Sequence, residues 1–433
     1  MIGKFRLSDL LSEVCDCLHI PGLMQDAYEV LKAFGQEAEG QLIRYYVISS
    51  GNTGLCRIIL RLLANTSSAD TISFLFSRLW SNSRQLKELT VQLLINCNFV
   101  PSEEEKQRIH MLTSDMIGLI TWNLSAKVSL EQEHDNFLLD RINNEINRWT
   151  EFLFNILSVT YNPGYIARIR EALTCQTRES VSYAFEMMDL EVSELVKPKL
   201  ISLFDVVPER DKLDNLFQFF PGEIPGRRKL LEDIINRDYN LISLWTRACT
   251  LRSIDKIEGE EMAESATALL FSPEQLIQEE SANLIGRSNR ELYFSASGRI
   301  PGLIRERLDK IINGTADKKG FIFEKVQFLS IFFEGIPEDD LLPLAVGMIH
   351  LNNFDIESVK HSEGSVLWIS NGGKENYDIY VYYSGEAENP IGKYMNQQNA
   401  DIYLLPFLTV EEFHFQYPDK SDNILKYIDD NEK

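Results

Sequence analysis

The sequence predicts a mainly α chain: a long helical-repeat array followed by a small α+β domain. Three observations predict it. Through roughly the first three hundred residues, apolar side chains recur at helical spacing in short segments closed by Gly, Pro, Asn or Asp. Small residues recur at equivalent points of successive helix pairs. After about residue 350 the apolar period shortens to that of strands.

The chain has 433 residues, with 43 Lys+Arg against 65 Asp+Glu, a net charge of −22. That length exceeds one compact core and implies about two to three domains or an elongated array. Apolar residues make up 44% and aromatics 10%, enough to bury a real core. The negative charge argues against a general nucleic-acid binder, because phosphate-backbone affinity comes from Lys and Arg. It also opposes binding to anionic membrane surfaces.

No apolar run approaches the ~20 residues of a membrane span. Met1 to Asp9 lacks the apolar core of a secretory signal. Cys15, Cys17, Cys56, Cys97, Cys175 and Cys249 are scattered, mostly within apolar helical stretches. Buried free thiols in a reducing cytoplasm fit this spacing better than a disulfide framework. A cytoplasmic location is therefore expected, with no transmembrane segment.

Taken in order, Asp70–Trp80 carries Ile72, Leu75, Phe76 and Leu79 on one face. Asn82 or Ser83 can cap the next helix, which carries Leu86, Leu89, Leu93 and Cys97. Pro101-Ser102-Glu103-Glu104-Glu105 reads as an exposed helix start, with acids near the positive end of the dipole. Amphipathic stripes return after Asn162-Pro163-Gly164. Further helices are expected over Glu194–Asp205, Asp211–Phe219, Arg227–Arg237, Asn240–Ile254, Glu260–Phe271 and Pro273–Ile285. Pro198 should start or kink its helix. Placing the second helix of each pair in register aligns Ala184, Ala248 and Ala282, with Thr90 about three repeats earlier. Helical pairs of about 30–47 residues are the signature of HEAT-type α-solenoids. An irregular all-α domain is the rival architecture.

The polar stretch Asn313–Gly320 reads as a linker. It divides a helical repeat domain over 1–312 from a C-terminal domain over 321–433. In the latter, one helix carries Phe323, Val326, Phe328, Leu329 and Phe332, and Pro337-Glu338-Asp339-Asp340 can open the next, running through Leu341, Leu344, Ala345 and Met348. Ser365–Ser370, Tyr377–Ser384 and Ala400–Leu405 are strands, and Asn371-Gly372-Gly373 is a turn signal. Asn423–Ile428 closes the chain as a helix.

Tyr183-Ala184-Phe185-Glu186-Met187-Met188-Asp189, followed by Val196-Lys197-Pro198-Lys199-Leu200-Ile201-Ser202-Leu203-Phe204-Asp205, resembles a recurring segment of bacterial HEAT-repeat proteins. It looks like the extension attached to transporter-like proteins related to ATP/ADP translocases, where a cyclic-nucleotide-binding-like domain can follow the repeats. Phe323–Leu329 and Ile336–Ala345 resemble the opening helices of that domain, and Tyr380–Glu386 resembles one of its β segments. The resemblance covers about residues 165–405. It implies a HEAT-like solenoid, a β-roll tail and a bacterial source. A transporter-like membrane protein is the partner it implies; the membrane-spanning half itself is missing.

The family's phosphate cassette uses a Gly-Glu pair and an arginine. Here Arg307 is the last arginine, and residues 337–433 carry six Lys against 18 Asp+Glu. Such a tail is a poor site for a phosphate anion, so the roll is expected to be degenerate, with no cofactor. Gly385-Glu386 lacks the rest of the cassette, and Lys393 is the one substitute cation considered. The six histidines show no metalloprotease spacing, and Glu133-His134-Asp135 reads as an exposed polar face. Gly51-Asn52-Thr53-Gly54 reads as a helix start. No metal or catalytic residue is assigned.

Arg227, Arg228 and Lys229, after Pro221–Gly226, form the one dense basic cluster and could dock an acidic partner or phosphate. The alternative is a solvated helix face. Trp245 and Arg247 could line a concave surface, or Trp245 could be core. The expected function is a non-catalytic scaffold or protein-interaction adaptor. A nucleotide sensor and an enzyme with an inter-helix site remain alternatives.

Overall fold

The computed structural model describes residues 8–20, 22–133, 135–238, 240–351, 364–371, 377–382 and 400–431. The described residues are mostly helical, with one small four-stranded antiparallel sheet near the C-terminus. No described helix is long and apolar enough to cross a membrane. The chain divides into two compact units, residues 1–15 with 27–258, and residues 16–26 with 259–433.

In the first unit, α1 (Gln36–Ile48), α2 (Thr53–Ala64), α3 (Ala69–Arg78) and α4 (Arg84–Asn96) each pack on their sequence neighbours. The starts of α2, α3 and α4 follow from capping. Asn52, Ser68 and Ser83 each accept a hydrogen bond from a backbone N–H three residues on. Asn52 thus makes the Gly51–Gly54 stretch a helix start, as its composition suggested.

The centre of this unit is a long antiparallel hairpin of α5 (Glu103–Glu133) and α6 (Asn136–Thr160). Ser102 and Glu105 form a reciprocal cap at the head of α5. The Ser102 N–H and hydroxyl both donate to the Glu105 carboxylate at 2.8 Å. Asp135 caps α6 through the Leu138 N–H, and His134 lies outside the described residues. Helices α7 (Pro163–Thr174), α8 (Arg178–Glu191), α9 (Lys197–Phe204), α10 (Glu209–Leu216), α11 (Arg227–Asn236) and α12 (Leu244–Ser253) follow. Pro198 sits in the first turn of α9 and so starts it without costing an internal hydrogen bond.

Packing here runs beyond sequence neighbours. Helix α5 meets α9, α10 and α11, while α6 meets α4, α7 and α12. A stack in which each pair touches only the next pair does not describe this hairpin. Glu145, in the middle of α6, shows why the distant helices come together. Its Oε1 accepts the Ser243 N–H at 2.9 Å and the Thr246 hydroxyl at 3.0 Å, completing the N-cap of α12. Its Oε2 accepts from Arg84 Nη1 at 2.7 Å. The Arg84 guanidinium lies 4.1 Å from the Trp149 ring centroid.

In the second unit, α13 (Ala263–Leu269), α14 (Gln275–Ser288), α15 (Arg290–Ser297) and α16 (Gly302–Ile312) precede α17 (Ile322–Phe332) and α18 (Glu338–Gly347). Helix α14 packs on α13, α15, α16 and α17. The buried Glu279 of α14 accepts the Ile322 N–H at 2.9 Å, capping α17. Gly314 stops α16 at a φ of 68°, which suits glycine. The linker expected over Asn313–Gly320 includes a 3₁₀ turn at Lys318–Gly320, and Asp317 bonds His350 Nδ1 at 2.6 Å.

The sheet comprises β1 (Ile349–Leu351), β2 (Ser365–Asn371), β3 (Asp378–Tyr382) and β4 (Ala400–Pro406), in the order β1-β4-β2-β3, all antiparallel. Leu367 opposes Leu404, Ile369 opposes Ile402 and Leu351 opposes Ile402, placing these five on one buried face. Trp368 and Tyr403 point to the other face, beneath α17. There Phe328 stacks on Tyr403 at 4.0 Å and meets Trp368 edge-on at 6.0 Å. Helices α19 (Phe407–Gln416) and α20 (Pro418–Asn431) close the described chain. The turn signal at Gly372-Gly373 and the segment from Tyr383 to Asn399 lie outside the described residues.

Candidate functional site

The strongest candidate is a cleft of 490 Å³ in the first unit, between α5, the Phe217–Pro225 loop and α11. Helix α5 supplies Gly118, Thr121, Trp122 and Ser125, which share one face at spacings of three and four. Helix α11 supplies Lys229 and Asp233, one turn apart. The loop between them supplies Phe217, Phe220, Pro221, Gly222, Glu223 and Pro225. Prolines at 221 and 225 keep this loop from continuing α10 or starting α11 early.

Glycine fixes how closely the aromatic wall approaches. A Cβ at Gly118 would stand 3.0 Å from Phe220 Cδ1, and one at Gly222 would stand 3.0 Å from Phe217 Cε1. Both rings therefore lie against bare backbone. The Arg237 guanidinium stacks 3.8 Å from the Trp122 ring centroid. Lys199 reaches the same region, donating to Ser114 at 2.6 Å beneath the Phe220 ring.

The five residues singled out from the sequence separate. Lys229 alone lines the cleft, and its ammonium donates to Glu223 at 2.5 Å. Arg227 turns away. It donates to Asp135 at 2.6 Å and to Glu258 at 2.8 Å, so its charge is compensated twice. Burial alone would lower the Arg227 pKa, but these two carboxylates raise it. Arg228 pairs with Glu232, one helical turn on, at 3.2 Å. Trp245 and Arg247 are 5% and 8% exposed, inside the unit. Arg247 Nη2 donates to the Ile235 carbonyl at 2.8 Å, closing the C-terminal turn of α11. The basic run is therefore neutralised by carboxylates, two of them local (Glu223, Glu232) and two remote in sequence (Asp135, Glu258).

The hydrogen bond from Lys229 holds the Glu223 pKa below the usual carboxylate range, and Glu223 in turn raises Lys229. Both groups stay ionised through neutral pH. Trp122, Phe217, Phe220 and Asp233 were not singled out in the sequence. The signals that mark them are the 118/121/122/125 spacing and the aromatic pair just before Pro221-Gly222.

A second cavity of 420 Å³ lies between α6 and α7, lined among others by Phe154, Ser158, Ile166, Arg170 and Cys175. No disulfide joins any of the six cysteines, and Cys15, Cys56 and Cys249 are buried; Cys175 is exposed, unlike the buried thiols expected. Among the described residues no group of three His, Cys, Asp or Glu side chains is placed to hold a metal ion. Gly385, Glu386 and Lys393 lie outside the described residues. No family model matches the chain, and no curated protein or solved structure matches it.

Proposed function

We propose that this chain is a non-catalytic scaffold or interaction adaptor, and that the cleft beside α11 receives a protein partner. The observation that carries this reading is the cleft's apolar lining: Phe217 and Phe220 lie against the bare backbone of Gly222 and Gly118, and the Lys229–Glu223 contact at its rim is an exposed surface ion pair. What the cleft offers is an aromatic and proline wall, the surface chemistry of interface anchors.

The same reading keeps the helical part as HEAT-like, with the α5–α6 hairpin as its departure from regular repeats. It keeps the tail as a relative of the cyclic-nucleotide-binding roll, and a transporter-like membrane protein as the partner class implied by the resemblance. It places the chain in the cytoplasm.

The test is to replace Phe220 of the full-length chain with a photoreactive phenylalanine and identify what cross-links in the native host. One protein that cross-links there, and whose recovery falls at least fivefold in F220A and K229E chains of unchanged melting temperature, supports the reading. Cross-linking with no reproducible protein product, or turnover of a small molecule by the purified chain, overturns it.

A further inference from the structure

We propose that the outer face of α8 is a second docking surface, one that takes a basic amphipathic helix. This rests on the adaptor reading and names the chemistry of a partner segment. Helix α8 buries Val181, Ala184, Met187 and Met188 on one side. On the other side Glu179, Tyr183, Glu186 and Leu190 follow one another at spacings of four, three and four, a single stripe along the helix.

That stripe alternates acid and apolar side chains. Tyr183 is 52% and Leu190 75% exposed, and Leu195, just past the helix, is 63% exposed. Exposed apolar groups scattered singly need no explanation, but three within thirteen positions on one outer helix and its exit do. Along residues 178–197 the acids outnumber the bases, with Glu179, Glu186, Asp189, Glu191 and Glu194 against Arg178 and Lys197. Lys197 is already held by Asp189 at 3.0 Å and by Glu194. Glu179, Glu186 and Glu191 have no basic partner among the described residues.

A partner helix that satisfies this face carries Lys or Arg seven residues apart opposite Glu179 and Glu186. It carries apolar side chains seven residues apart opposite Tyr183 and Leu190. This is the pairing logic of coiled coils, with apolar contact supplying the area and charge choosing the partner. The chain's net charge of −22 steers a basic segment toward it.

The probe is a capped, fluorescently labelled peptide of about three heptads, with leucine and lysine alternating at the seam positions and alanine and glutamine elsewhere. It is titrated into the full-length chain by anisotropy. The expected result is saturable binding that weakens about tenfold in E179Q/E186Q and in Y183A/L190A, and weakens steeply with salt. All four positions are exposed, so the variants should melt with the wild type; loss of binding through unfolding would show as a lowered melting temperature, and E186K, tested beside them, should abolish binding while keeping the fold.

Equal binding of the matching peptide with glutamate in place of lysine overturns the proposal. So does binding unchanged in both double variants, or no saturable binding. Sedimentation showing a dimer that L190E dissociates also overturns it, because the occupant is then a second copy. A partner that still cross-links at position 220 under any of these outcomes leaves the adaptor reading standing while this surface falls.

Discussion

Arg84 Nη1 donates a 2.7 Å hydrogen bond to Glu145 Oε2 between two helices, with both side chains almost wholly buried. The pair joins the first residue of α4 to the middle of α6, and the second carboxylate oxygen caps α12. A second pair locks the same helices, with Arg148 gripping Glu88 through two bonds of 2.9 Å.

Replacing Glu145 with alanine should therefore lower unfolding stability by about 3–5 kcal/mol, because it strands Arg84 and uncaps α12. The double replacement R84M/E145L should cost less than the sum of its single changes. Urea denaturation monitored by far-UV dichroism measures both. Additive losses would show that the pair is not coupled.

The same carboxylate sets a pH dependence. Burial would raise the Glu145 pKa, but Arg84 and the bonds from Ser243 outweigh it and hold it below the ordinary value of 4.5. A depressed carboxyl stabilises fully above its unfolded pKa, and that contribution is lost as pH falls through the folded one. Wild-type stability should fall below about pH 4.5, more steeply than that of E145Q.

His110 gives the opposite kind of group. Its Nε2 meets the Tyr161 hydroxyl at 2.8 Å, and that hydroxyl also accepts the Ser193 N–H at 3.0 Å. Burial, with Lys106 nearby, lowers the His110 pKa, so folding favours the neutral ring. Stability from this group is complete above about pH 6.5 and is lost as pH falls through that unfolded value toward the folded one. H110N should flatten the melting temperature between pH 5 and 7. Y161F should cost about 1 kcal/mol at neutral pH by stranding the Ser193 N–H.

At Gly347 a Cβ would stand 2.5 Å from Thr409 Cγ2, where α18 meets α19. The Thr409 hydroxyl oxygen stands equally close, so G347A should destabilise by about 1–3 kcal/mol and T409A, which removes both γ atoms, should recover part of the loss. Thermal melts of the single and double variants decide this, and equal losses in G347A and G347A/T409A would contradict it.

Much of the secondary structure is legible in the sequence where local chemistry decides it. Ser83 caps α4, Pro198 opens α9, and the β-branched and aromatic residues of Ser365–Ser370, Tyr377–Ser384 and Ala400–Leu405 mark β2, β3 and β4. The long hairpin is not legible, because the buried side of α5 carries Thr113, Thr121 and Asn123. Each bonds the carbonyl one turn back, which offsets part of the cost of burying a polar side chain, and the apolar stripe is interrupted. Strand β1 is three residues long and gives no period to read. The site was legible only as a run of positive charge. Asp135, 92 positions from Arg227, cancels part of that charge, and spacing along a chain carries no sign of so remote a partner.

The strand order has a consequence for synthesis. β4 is the last strand in sequence, yet it lies between β1 and β2. A nascent chain that has emerged only as far as residue 399 can zip β2 to β3, but among the described strands β1 then has none to pair with. The sheet is completed by its final strand, and translation that stops short of residue 400 leaves two hydrogen-bonding edges open for a stray chain to occupy.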